Sequence, residues 1–276
     1  MPQLMAEVER LSLVIEIGGM PVRLKTTSQD FLRMLQDRYA GFVVSGNPVP
    51  DSLLELEFDI ELSDARFENS DAAVRVTRTD GHWQMTRGDF FAEWEPRKLR
   101  GRIRQSANPY SIDAVLRIVH TLALAKQGGL LLHAASAIRN GKAFVFAGVS
   151  GAGKTTISRL APSDVTLLTD EISYVRKTDN GYWAFGTPFT GELAKLGENE
   201  SAPLAALYLL TQGPVNKIEP VTAGEAVRSL LANVLFFAEE PELVRQVFQS
   251  ACEVADCVPV SRLTFAPDAR VWEMIQ

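Results

Sequence analysis

An α/β fold preceded by a smaller β-rich α+β domain is what this sequence predicts, on three observations. Leu11, Leu13, Ile15 and Ile17 alternate through LSLVIEI, and Leu54, Leu56, Phe58, Ile60 and Leu62 alternate with Glu55, Glu57, Asp59 and Glu61, so the first part is rich in half-buried strands. Farther on, apolar runs of strand length occur together with amphipathic runs of helix length. Among these, AFVFAGVSGAGKTTISRL at 143–160 reads as buried strand, glycine-rich loop and helix. Residues 1–105 therefore form the β-rich α+β domain and 106–276 the α/β domain.

In the first domain, Gly18-Gly19 turns the first strand into a second one carrying Val22 and Leu24. Thr27 and Asp30 resemble a capping pair ahead of a helix with Phe31, Leu32, Leu35 and Tyr39 on one face. The strand over 54–62 follows, with Glu55, Glu57, Asp59 and Glu61 all on one side. A solvated acidic sheet face explains them better than a metal or basic-peptide site. Strands over 73–78, 82–86 and 90–94 come next, with Asp80-Gly81 and Gly88 at their turns; His82 reads as a surface histidine. Arg97, Lys98, Arg100, Arg102 and Arg104 make 96–105 the most basic stretch. It is either a solvated strand or linker, or a groove that attracts phosphate or an acidic substrate; spacing does not separate the two.

The second domain opens with a helix capped at Ser111, its face formed by Ile112, Val115, Leu116, Val119 and Leu122, and stopped by Gly128-Gly129. His120 reads as a packed residue of that helix. A strand over 130–138 reaches Asn140-Gly141, a strong hairpin signal, and the return strand feeds the loop. After the loop helix, 165–169 forms a strand ending in Asp170-Glu171, and a second hairpin joins 173–176 to 182–185 across Asn180-Gly181. The run 186–192, GTPFTGE, is a loop whose Gly and Pro are explained by turn chemistry and which also lies where a ligand contact would fall. A strand over 204–210, a helix boxed by Thr222 and Glu225, a helix over 241–255, a strand over 260–265 and a tail with Val271 and Trp272 complete the chain.

The loop residues Gly148, Val149, Ser150, Gly151, Ala152, Gly153, Lys154 and Thr155 fit G-x-x-x-x-G-K-[ST], and Thr156 follows. Such a loop turns backbone N–H groups onto a polyphosphate. Its glycines allow positive φ and close main-chain approach, and the following helix adds unpaired N–H groups and its positive end. Lys154 is placed to reach the terminal phosphates, and the Thr155 hydroxyl to bind Mg²⁺. An acid at the carboxyl end of a buried strand beside that loop, here Asp170, is where a Mg²⁺-organising carboxylate belongs.

Hydrophobic residues make up 46% of the 276, enough for a sizeable core. The net charge of −6 argues against a general nucleic-acid binder. Cys252 and Cys257 have no CxxC or Cys/His company, so they read as reduced thiols. The start, MPQLMAEVER, is too polar for a signal peptide, and no apolar run reaches membrane-spanning length; a cytoplasmic location without a membrane partner is the expectation.

His133 precedes Gly148 by fifteen residues, and Asp170-Glu171 begins sixteen after Lys154. This spacing resembles the C-terminal kinase domain of the HPr kinase/phosphorylase family, including its divergent serine kinases of ribosomal and lasso-peptide biosynthesis. The likeness is strongest over 130–175. The loop wording is also similar to ATP-dependent phosphoenolpyruvate carboxykinase, which shares that core. The resemblance implies a P-loop kinase core with a mixed sheet, using ATP and Mg²⁺. It further implies transfer of the γ-phosphoryl group to a serine of a peptide or small protein, in a protein that is able to form homo-oligomers. Asp170 is then the general base, with Lys154 and His133 as further catalytic residues and Thr155, Asp170 and Glu171 toward Mg²⁺. The chain departs from the family where Glu171 replaces an aspartate, where Thr155 replaces a serine, and in lacking a recognisable second signature of the enzymes that act on HPr itself. The alternatives are a carboxykinase-like enzyme and a non-catalytic ATP-binding regulator. By position, 1–105 is the candidate for acceptor recognition.

Overall fold

The computed structural model describes residues 10–45, 56–63, 72–191, 193 and 197–276. Leu54, Glu55, Glu192 and the first nine residues of the sequence reading lie outside these. The chain is a mixed α/β protein with two mixed sheets. It divides into compact units, Met1–Leu116 and Arg117–Gln276.

In the first unit, β1 (Leu11–Ile17) and β2 (Met20–Thr26) form a hairpin, with Gly18 and Gly19 both at positive φ as its turn requires. The helix α1 (Gln29–Arg38) starts at Ser28, whose Oγ accepts from the Phe31 N–H at 3.2 Å. The cap is thus Ser28 rather than Thr27. Phe31, Leu32 and Leu35 are buried, as helical spacing predicts. Beyond it come β3 (Leu56–Leu62), β4 (Arg75–Thr79), β5 (His82–Arg87), β6 (Phe90–Glu95) and β7 (Arg100–Gln105). The seven strands are ordered β1-β2-β3-β7-β6-β5-β4, and β3 runs parallel to both its neighbours.

The basic stretch is therefore a strand inside the sheet. Gly101 allows that place, since a Cβ there would lie 2.2 Å from the Phe58 ring. Its register sets Arg100 opposite Glu57, Arg102 opposite Asp59 and Arg104 opposite Glu61. Glu57 also meets Lys25 Nζ at 2.8 Å, and Asp59 pairs with Arg10. The acidic face expected of β3 is consequently a ladder of mixed charge, because its basic complement came from a distant strand. Asp89 is pulled two ways. Burial raises its pKa, but hydrogen bonds from Arg87 and Ser111 prevail and hold it below the usual value. Ser111 therefore serves Asp89, and the side chain of Asn108 accepts from the Tyr110 N–H where α2 (Pro109–Gln127) begins.

In the second unit, β8 (Leu130–Arg139) and β9 (Lys142–Ala147) form the hairpin that Asn140-Gly141 predicts, both turn residues having positive φ. The glycine-rich loop leads into α3 (Lys154–Arg159), only six residues long. Next come β10 (Thr166–Thr169), β11 (Ile172–Thr178), β12 (Gly181–Phe185), β13 (Ser201–Gln212), β14 (Lys217–Pro220), α4 (Ala223–Asn233), α5 (Pro241–Cys257) and β15 (Val260–Phe265). The strand β14 was not foreseen. Thr222 caps α4 as the sequence predicts, its side chain accepting from the Glu225 N–H. Pairings β8–β11, β11–β12, β12–β13, β13–β9 and β9–β8 close a circuit. Its strands β9 and β13 and the adjoining β15 are parallel, so their carboxyl ends lie on one side, where open α/β sheets place ligands.

Aromatic packing fixes the strand that feeds the loop. Phe146 stacks on Tyr208 and meets Trp272 edge-on at 5.4 Å between centroids. Trp272 Nε1 donates to the Ile157 carbonyl at 3.1 Å, tying the tail to α3. His120 is fully buried beside Tyr174, and desolvation pushes its pKa down to about 4, so it is a neutral packed residue. Among the described residues, no helix is long and apolar enough to cross a membrane.

Candidate functional site

At the carboxyl end of β9 the chain makes its glycine-rich turn. The three glycines do different work. Gly151 has φ 79° with nothing near its missing Cβ, so conformation alone requires it. Gly148 needs close approach, since a Cβ would lie 2.6 Å from that of Ala152. Gly153 needs both, with φ 110° and a Cβ position 2.7 Å from the Phe265 ring. Lys154 is 9% exposed and its Nζ donates to the Gly148 carbonyl at 2.8 Å, closing the loop on itself. From the carboxyl end of β13, Gln212 Nε2 donates to the Gly151 carbonyl at 2.5 Å.

The acids arrive on the strand running antiparallel to β8. Its register shifts by one residue between Leu167 and Thr169. Such a bulge turns every following side chain over relative to its neighbour, which fixes the faces given to Asp170 and Glu171. Thr169 Oγ1 accepts from the N–H groups of Glu171 and Ile172, bracing the kink, and Ile172 stands opposite His133. The Asp170 carboxylate is 6% exposed and accepts from the N–H groups of Gly191 at 3.0 Å and Leu193 at 2.9 Å. It thereby ties down the backbone at Gly191 and at Leu193. Gly191 has to be glycine in this position, since a Cβ would lie 2.9 Å from Asp170 Oδ2.

A cleft of about 420 Å³ collects these groups. Its walls include Ser150, Gly151, Gly153, Lys154, Thr155 and Thr156 of the loop, facing His133, Asp170, Glu171 and Gly191, with Arg159 and Gln212 at the sides. Of the sequence-predicted residues, Gly148, Val149 and Ala152 do not line it: Gly148 and Ala152 pack beneath the loop, and Val149 is exposed. The His133 pKa is lowered, first by burial and then by the cations Lys154 and Arg117, which leaves its imidazole neutral at pH 7.

Three participants were missed from the sequence. Arg117 sits 4.9 Å over the Phe189 ring and 3.9 Å from Glu171 Oε2. Its signal was a charge set between the apolar Leu116 and Ile118 of α2. Arg159 follows Lys154 by little more than one helical turn. Gln212 could be found only by knowing that β13 lies beside β9.

The donors suit a phosphorylated ligand. The loop has the close-packed glycines and the lysine that a phosphate cradle needs. Thr155, Asp170 and Glu171 supply a hydroxyl and two carboxylates, the modest set that suffices for Mg²⁺, which usually keeps several waters and binds phosphate oxygens. Among the described residues, no group of three or more His, Cys, Asp or Glu is arranged to hold a metal by itself.

Fold and site together define a mixed α/β protein whose glycine-rich loop faces an acidic pair across a charged cleft. Residues 104–276 match the family described as SynChlorMet cassette protein ScmC, and the chain belongs to that family. No curated protein matches it.

Proposed function

We propose that the protein is an ATP-dependent kinase with the P-loop core of the HPr kinase type. It would transfer the γ-phosphoryl group to a serine hydroxyl of a peptide or small protein. The observation that carries this reading is the convergence of Lys154, Thr155, His133, Asp170 and Glu171 on one cleft. The loop N–H groups and Lys154 hold the phosphates and balance the charge that spreads over the phosphoryl oxygens during transfer. Thr155, Asp170 and Glu171 would hold Mg²⁺, whose charge neutralises the phosphate oxygens. Asp170 takes the serine proton as the new oxygen–phosphorus bond forms and the β,γ bridge breaks, leaving ADP. Its two backbone hydrogen bonds fix the carboxylate and leave a lone pair on each oxygen for this task. Neutral His133 hydrogen-bonds the phosphoryl group from β8.

Those same two hydrogen bonds favour a second reading, a nucleotide-binding regulator in which Asp170 only anchors the backbone at Gly191 and Leu193. Incubation with γ-labelled ATP, Mg²⁺ and serine-containing peptides separates the two. The kinase yields labelled phosphoserine, and the regulator binds ATP tightly without transfer. Transfer that persists at full rate in Asp170→Asn would sink the assignment of the base.

A further inference from the structure

The proposed transfer leaves one charged wall of the cleft without a task. Lys154 is given to the phosphates, and Thr155, Asp170 and Glu171 to Mg²⁺ and the serine proton. His133 is neutral, and Arg117 is held between the Phe189 ring and Glu171. Arg159 lines the same cleft and is exposed. Among the described residues, its guanidinium has no hydrogen-bond, ion-pair or ring partner.

The helix α3 sets where this charge stands. Thr155 and Arg159 are four residues apart, so they share a helix face, and both border the cleft. Arg159 lies about 6 Å farther along the axis than Thr155, away from the loop that would hold the phosphates. Thr156, on another face, borders both the cleft and a neighbouring uncharged cavity lined by Gly213, Phe265 and Pro267. Arg159 borders only the cleft, the space that contains His133, Asp170 and Glu171. It is thus one helical turn outward from the hydroxyl that would bind Mg²⁺, in the space an acceptor serine and its neighbours would share.

We propose that Arg159 is a specificity-determining residue for the acceptor, and that the acceptor is an acidic peptide with Asp or Glu beside the phosphorylated serine. The assignment rests on the kinase reading of the cleft. A guanidinium is always charged, and its planar fork matches a carboxylate with two parallel hydrogen bonds. Mg²⁺ would balance the two charges of Asp170 and Glu171, so the acid pair would not repel such a peptide.

Three end-blocked heptapeptides test this, each with a central serine flanked on both sides by Glu, by Ala or by Lys. Transfer from γ-labelled Mg-ATP to each is measured with the full chain. The wild type should favour the Glu peptide over the Ala peptide about fivefold in kcat/KM, the scale of an exposed ion pair. The difference should lie in KM and fade in high salt, and the Lys peptide should be the poorest. Arg159→Glu should reverse the order and Arg159→Gln should erase it, with Mg-ATP affinity by calorimetry unchanged. A reversed order is a gain for the Lys peptide, which a misfolded variant does not produce.

Equal use of the three peptides by the wild type, or a preference for Lys, would overturn the acidic acceptor and leave the kinase standing. Weaker Mg-ATP binding in Arg159→Glu with the peptide order unchanged would overturn it too, and give Arg159 to the phosphates. If the variants melt earlier but keep the wild-type order, Arg159 serves only the carboxyl end of α3, where a cation suits the helix dipole, and the assignment fails. Tight Mg-ATP binding with no transfer to any of the peptides would overturn the kinase reading and the acceptor assignment together.

Discussion

The β3–β7 ladder and the loop cleft use the same kinds of side chain to opposite ends. On the sheet face of the first unit, Glu57, Asp59 and Glu61 stand in register with Arg100, Arg102 and Arg104. Each charge meets its opposite on the next strand, and the face is close to neutral along its length. In the cleft of the second unit, Lys154, Arg159, Asp170 and Glu171 border one open volume. There both carboxylate oxygens of Asp170 are held by backbone N–H groups, and Lys154 Nζ reaches a loop carbonyl. Charges held by main chain around a cavity remain available to a ligand, whereas charges held by each other do not. A run of charge in a sequence therefore says little until its cross-strand partner is known.

The largest effect should come from Lys154→Ala. On the proposed kinase reading, loss of a preorganised cation at the transferred group should lower phosphoryl transfer by about 10² to 10³. Phosphopeptide formation followed by mass spectrometry reads this directly, and retention of more than half the rate would remove the cleft from the comparison. Next in size is Asp170→Asn. The amide offers a single acceptor oxygen, so one of the Gly191 and Leu193 N–H groups faces an NH₂ group instead. Transfer should fall about a hundredfold. Stability should fall by about 1 to 3 kcal/mol, the cost of an unsatisfied buried donor, measurable by urea unfolding. A stability loss with unchanged transfer would make Asp170 an anchor alone.

Gly151 and Gly153 sharpen the contrast within the loop itself. Gly151→Ala pays only for a left-handed backbone, about 1 kcal/mol, because nothing lies near the new methyl. Gly153→Ala meets Phe265 as well, and should cost about 2 kcal/mol or more. Thermal melting of the pair tests the order, and equal shifts would show that the Phe265 ring moves aside.

How much of this was legible follows the range of each signal. The loop, the hairpin at Asn140-Gly141 and the acid pair are local patterns, and the sequence places all of them. The β3 face was misread as acidic because Arg100, Arg102 and Arg104 lie some forty positions away, and only the parallel register brings them opposite. Gln212 entered the cleft for a similar reason, through the pairing of β13 with β9. Arg117 was visible as a charge between Leu116 and Ile118 of α2 and was passed over. The bulge at Leu167–Thr169 has no sequence mark of its own, neither Gly nor Pro, so the faces of Asp170 and Glu171 could not be assigned in advance.

The smallest expected effect tests the other half of the comparison. Glu57 is the most enclosed acid of the ladder, its side chain 12% exposed and touched by Lys25, Arg23 and Arg100. Glu57→Gln keeps the shape and removes the charge. Its partners keep water on their open sides, so the loss should stay near 1 kcal/mol and shrink further in high salt. ATP affinity should not change, because the ladder's charges are already answered by one another. If instead Glu57→Gln weakened binding of an acceptor peptide tenfold at equal stability, the ladder would be a recognition surface. In that case cross-strand pairing alone would not mark a charge as structural.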